Sequence, residues 1–252
     1  MTIFASLRKE MLEQVRTSRL LILGAVLLAF GLMSPLIAKY TPEMLRLIPG
    51  GESFAGLVPK PTLIDAVAQY IKNVNQFGIL LALLLSMGAV VQEKEKGTAA
   101  MMLVKPLPRG VFLLAKFAAL GLSFLAGMFL AGLGAYYYTA ILFTTPDLGA
   151  WAALTGLIWV QLLVYIAFTL FFSTLVRSQA AAGGLGLAVL LLFSLFGSLP
   201  RIGQYLPGQL VAWGASLFTP QPAPAQPALW ISLGLALACL AGAWVVLERQ
   251  EL

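Results

Sequence analysis

Six apolar stretches, each long enough to cross a bilayer, dominate this chain and leave little room for any other architecture. They fall near residues 20–38, 74–91, 111–138, 151–175, 180–199 and 229–247. A hydrocarbon core about 30 Å thick needs roughly 20 apolar residues in helical form. In lipid every backbone N–H and C=O must be satisfied within the segment, which favours helices for runs of this length. The chain is 60% hydrophobic and only 10% charged over 252 residues, whereas soluble domains carry about a quarter charged residues. The expected fold is therefore an all-α membrane protein with six transmembrane helices. Residues 20–252 form the membrane domain and residues 1–19 an appended surface helix.

That first segment is amphipathic. Phe4, Leu7, Met11 and Val15 recur at helical spacing, while Arg8, Lys9, Glu10, Glu13 and Arg16 occupy the other side, the pattern of a helix lying in the membrane interface. Its long mixed-charge region does not read as a cleavable signal peptide. Residues 39–73 are mixed in character, with Pro42, Pro49, Pro59 and Pro61, and residues 62–73 are expected to form a short surface helix. Lys116 lies near the start of the third span and is expected to snorkel to the interface, and Tyr136–Tyr138 suit an aromatic belt. The proline-rich segment 200–227 cannot be continuous helix; its apolar half, 202–218, suits a short broken or re-entrant helix.

The basic residues set an expected orientation. Arg8, Lys9, Arg16, Arg19, Lys94, Lys96, Lys105, Arg109, Lys116, Arg177 and Arg249 fall on the side of both termini. Lys39, Arg46, Lys60, Lys72 and Arg201 fall on the other. Eleven against five places both termini in the cytoplasm. The net charge of +6 is explained by this bias, and without a basic patch interleaved with exposed aromatics there is no case for nucleic acid.

Several chemistries are excluded. The chain has no histidine and one cysteine, Cys239, so triads built on histidine, zinc-protease motifs and an internal disulfide are out of reach. No metal or cofactor is expected on this chain. It contains no G-x-x-x-x-G-K-[ST] phosphate loop, and it is not expected to be an enzyme. No acidic residue falls inside an expected span, which argues against a proton- or ion-coupled carrier. The polar residues within spans are neutral: Asn75, Gln76, Gln161, Tyr165, Thr169, Ser173 and Ser194. Gln161, Tyr165, Thr169 and Ser173 share one helical face. That face suits a translocation or dimer surface, or hydrogen bonding inside the chain's own bundle.

The most informative segment is the charged loop 92–109, between the second and third spans. Thr98 can cap a short helix over 99–104 that exposes Met101, Met102 and Leu103, and Pro106 ends it. Such a helix suits docking in a groove of another protein. It would equally serve as a connector whose apolar residues pack on their own bundle.

The series Glu93-x-Glu95-x-Gly97-Thr98, followed by Leu103, Pro106, Arg109 and Lys116, resembles the permeases of the ABC type-2 exporter family. The Arg8-Lys9-Glu10 stretch before the first span is similar to that family's interfacial elbow helix, and the order of spans and loops is also similar. The segment 39–73 most resembles the nitrous-oxide-reductase maturation and the sodium or drug efflux branches. The resemblance implies that the loop is a coupling helix seated in a cleft of a separate ATP-binding subunit. Glu93, Glu95, Gly97, Thr98, Met101, Leu103, Pro106 and Arg109 then become candidate contacts, with Arg177 in a second, smaller contact. It further implies that ATP and magnesium bind the partner ATPase, that two permease chains pair as a homo- or heterodimer, and that the protein sits in a bacterial-type plasma (inner) membrane. Ala99-Ala100 departs from the commonest pattern, in which larger residues occur. A permease that acts mechanically in a maturation or assembly system, without bulk transport, is the alternative.

Overall fold

A computed structural model describes residues 3–47, 59–95 and 108–250. Among these residues every regular element is a helix. In chain order they are α1 (Ile3–Arg16), α2 (Arg19–Arg46), α3 (Leu63–Met87), α4 (Val91–Glu95), α5 (Arg109–Leu142), α6 (Leu148–Leu175), α7 (Gln179–Gly197), α8 (Pro200–Gly203), α9 (Gly208–Ser216) and α10 (Gln226–Arg249). The helices α2, α3 with α4, α5, α6, α7 and α10 are the six that are long and apolar enough to cross a membrane.

The helices overrun their expected bounds, with local physical causes. α2 continues past residue 38 with Pro35 and Pro42 inside it. The expected surface helix 62–73 and the second span are one helix, α3. Pro61 precedes it, and the Asp65 carboxylate accepts from the Thr62 backbone N–H and hydroxyl at 2.7 Å each, so the N-terminus is capped eleven residues before the apolar run begins. Asp147 caps α6 by accepting from the Ala150 N–H at 2.7 Å, and Ser178 caps α7 through Ala181 at 3.2 Å. The 34 residues of α5 extend about 51 Å, longer than the hydrocarbon core, so its ends project beyond it.

The bundle is built around α5 and α6. Leu23 and Leu27 of α2, Tyr70 of α3, Phe124 and Met128 of α5, and Ile158, Leu162 and Ile166 of α6 form one buried core. Glycine sets the closest crossing: a Cβ on Gly31 would lie 2.4 Å from the Ala131 carbonyl oxygen, so α2 and α5 touch backbone to backbone. Phe30 and Phe77 stack with centroids 3.6 Å apart between α2 and α3. α10 closes the other flank, where Leu240, Ala243 and Leu247 pack with Phe112, Leu113 and Leu170. Within 202–218 the chain forms α9, which buries Leu210 against Leu157, Ala225 and Ala228. α7 is the most exposed span, with only Ala182 and Gly186 buried.

Candidate functional site at the root of the charged loop

At the end of the bundle where α1 begins and α10 ends, two carboxylates meet one buried lysine. α1 lies across the start of α5 and turns a polar stripe inward. Ser6, Glu10 and Gln14, four residues apart, are buried. Gln14 accepts from the Ser123 hydroxyl of α5. Glu10 meets Lys116, two turns closer to the start of α5, with Nζ–Oε2 at 3.0 Å. From the opposite side α4 supplies Glu93, 2.7 Å from the same ammonium. Lys116 is only 4% exposed. It does not snorkel, because the two carboxylates hold it inside the protein.

Lys9 extends the cluster. Its ammonium lies 3.2 Å from Glu10, 3.5 Å from Glu93 and 3.9 Å from Glu13. Burial opposes its charged form, but Glu10, Glu93 and Glu13 outweigh that and raise its pKa above the ordinary lysine value. A cavity of about 260 Å³ opens beside the cluster, with Arg19, Gly88 and Gln92 in its wall. Glu10, Glu13 and Glu93 come close enough to suggest a metal site. The ammonium of Lys116 already bridges Glu10 and Glu93, and Lys9 lies within 3.9 Å of all three, so two cations of the protein itself already neutralise most of their charge.

The neighbouring groups tie the same corner together. Arg19 donates to Gln92 at 3.2 Å, and Gln92 donates to Gln179 at 2.8 Å, linking α2, α4 and α7. Lys94 donates to the Thr174 carbonyl and the Gln250 side chain, each at 2.6 Å. Arg109 donates to the carbonyls of Leu247, Glu248 and Gln250, a cation on the exposed carbonyls at the C-terminal end of α10.

The sequence-derived candidates therefore separate. Glu93 pairs with Lys116, and Arg109 donates to the end of α10, so each of these two candidate contacts meets a group from a distant part of the sequence. Glu95 and Arg177 are exposed at this end. Gly97, Thr98, Met101, Leu103 and Pro106 lie outside the described residues. Gln161, Tyr165, Thr169 and Ser173 are buried on a face closed over by α3 and α7. Thr169 sits against Gly186, and Tyr165 lies 6.1 Å from the Phe193 ring. Ser173 has a clear structural task. Its hydroxyl accepts from the Val90 and Val91 N–H groups at 3.1 Å each and donates to the Met87 carbonyl at 2.9 Å. It thus satisfies the backbone groups freed where α3 breaks before α4.

Sequence reasoning missed the junction among Glu10, Glu93 and Lys116. A lysine seven residues into an apolar helix was a signal, because a cation at that depth needs a partner, but the partners' identity was not in the local pattern.

Residues 4–205 match the family model described as ABC-2 family transporter protein. The chain belongs to this family. Among its relatives, the uncharacterized transmembrane protein YxlG of Bacillus subtilis is 29% identical over 82% of this chain and 81% of that protein. A "Probable ABC transporter permease protein NosY" of Stutzerimonas stutzeri is 41% identical over 46% of this chain and 44% of its own length. The protein of the same description from Pseudomonas aeruginosa is 32% identical over 75% of this chain and 65% of its own length. The chain thus spans less than two thirds of either NosY protein. Membership of the ABC-2 family makes this a membrane permease and implies association with an ABC ATPase subunit.

Proposed function

We propose that this chain is the membrane-spanning permease subunit of an ATP-driven ABC exporter, and that a separate ATPase subunit hydrolyses the nucleotide. The observation that carries the mechanism is the buried junction at the loop root. Glu93 is the third residue of α4, immediately before the segment expected to dock on the ATPase, and through Lys116 it is joined to Glu10 of α1 and to α5. A displacement of the loop by closure of the ATPase would move three helices together, because a buried ion pair resists separation more than an exposed one does. Glu95 and Arg177, both exposed at that end, suit charged contacts at the rim of the partner. Two such chains pair, with both termini on the cytoplasmic side of a bacterial-type inner membrane.

The test is co-purification with an ABC ATPase subunit, followed by ATP-driven transport in liposomes. Loss of ATPase stimulation on substituting Gly97 or Pro106 is the expected result. A chain that binds no ATPase, or whose substitutions leave ATPase activity untouched, overturns the reading. A second reading is a permease that acts mechanically in a maturation or assembly system. The similarity to proteins described as NosY, together with the resemblance of segment 39–73 to the nitrous-oxide-reductase maturation branch, favours it. It predicts ATPase stimulation with no substrate crossing the liposome membrane.

A further inference from the structure

The ion pairs at the loop root also sort the charges of α1. In sequence that helix is nearly balanced, with Arg8, Lys9 and Arg16 against Glu10 and Glu13. In the structure its acids face inward or are answered: Glu10 binds Lys116 and Lys9, and Glu13 lies within 3.9 Å of Lys9. Arg8 and Arg16 are exposed, and neither forms an ion pair among the described residues. Around them stand Phe4, 78% exposed, with Leu12 and Val15. The roll of the helix is fixed, because Glu10 and Gln14 are held by Lys116 and Ser123. The outward face of α1 is therefore mostly apolar and cationic, with Glu13, 3.9 Å from Lys9, at its edge.

We propose that this face binds the headgroups of anionic phospholipids, with Arg8 and Arg16 on phosphate oxygens and Phe4, Leu12 and Val15 among the acyl chains. The occupant is lipid because of where the helix lies. α1 ends at Arg16, and the apolar span α2 begins at Arg19, so α1 sits at the level where the chain enters the bilayer. Exposed apolar side chains at that level meet acyl chains, and basic ones meet phosphates. The guanidinium fork matches the paired oxygens of a phosphodiester. Each basic group near an anionic surface strengthens binding by about fivefold. Because the inner stripe of the same helix holds Lys116, lipid bound outside should also stabilise the junction inside.

The test uses the full chain in nanodiscs, with spin-labelled phosphatidylglycerol or phosphatidylcholine at trace level to measure the protein-restricted lipid. Phosphatidylglycerol should be selected severalfold over phosphatidylcholine, with the preference falling as salt rises from about 50 to about 500 mM. The Arg8→Gln/Arg16→Gln variant should lose most of the preference, and Arg8→Lys/Arg16→Lys should keep most of it. Thermal stability of the wild type, but not of the glutamine variant, should rise with phosphatidylglycerol content. Should the double variant fail to fold, the single variants should each show about half the loss. An undiminished preference in a folded glutamine variant overturns the proposal. So does a wild type with no preference whose glutamine variant instead loses a bound ATPase, because the face would then be a protein dock. The lipid-selectivity readout itself needs neither ATPase nor transport, so its failure leaves the permease reading standing.

Discussion

Lys116 of α5 and Glu93 of α4 meet at 2.7 Å, both buried, with Glu10 of α1 completing the bridge at 3.0 Å. The arrangement is costly to break from one side. Two charges taken out of water are tolerated because they answer each other, and removing one leaves the other stranded.

Lys116→Met should therefore destabilise the chain by about 3–5 kcal/mol, read as a lowered midpoint in denaturant or heat. The triple variant Lys116→Met, Glu10→Gln, Glu93→Gln should recover much of the loss, because no buried charge then lacks a partner. A single variant as stable as the wild type would show that the ion pairs do not hold α1 and α4 to α5.

The break between α3 and α4 depends on one hydroxyl. Ser173→Ala should orphan the N–H groups of Val90 and Val91 and cost about 1–3 kcal/mol. Amide exchange at Val90 and Val91 should quicken selectively. Uniform exchange across the bundle would contradict the local role.

The crossing of α2 and α5 leaves no room at Gly31, where a Cβ would meet the Ala131 carbonyl at 2.4 Å, whereas nothing lies within 4 Å of a Cβ on Gly156. Gly31→Ala should lower stability by about 1–3 kcal/mol. Gly156→Ala should leave it unchanged or slightly raised. Equal melting temperatures for the two variants would refute the close approach.

Lys9 gives a pH dependence with a definite sign. Its pKa in the folded chain is raised above the unfolded value of 10.5 by Glu10, Glu93 and Glu13 against the opposing effect of burial. The stabilisation it supplies is complete below about pH 10.5 and is lost as the pH climbs through the higher folded value. Protease access to α1 should increase in that alkaline range and not on going from pH 7 to 9. Lys9→Arg should reduce the increase, because arginine stays charged. An increase already under way at pH 8 would assign the effect to another group.

The helix boundaries show how far local pattern reaches. A helix from residue 62 was legible after Pro61, yet the apolar run alone did not show that it continues unbroken into the second span, because hydropathy reports where lipid begins and not where the helix does. The amphipathic pattern of α1 was visible from Phe4, Leu7, Met11 and Val15. That its polar side would turn into the protein was not, since in a membrane protein the apolar side can face lipid and the polar side then becomes the packing surface. Gln161, Tyr165, Thr169 and Ser173 were correctly grouped on one face, but what covers that face depends on α3 and α7.

The sequence by itself determined the six apolar spans, the surface helix ahead of them, the clustering of basic residues on one side and the absence of a phosphate loop. These follow from properties of contiguous segments: length, hydropathy, charge and motif. Only the tertiary structure decided the fate of Lys116. Its partners lie 106 and 23 residues away in sequence, and a buried ammonium is stable only where packing brings carboxylates to it. That pairing turned a lysine expected at the membrane surface into the joint between α1, α4 and α5.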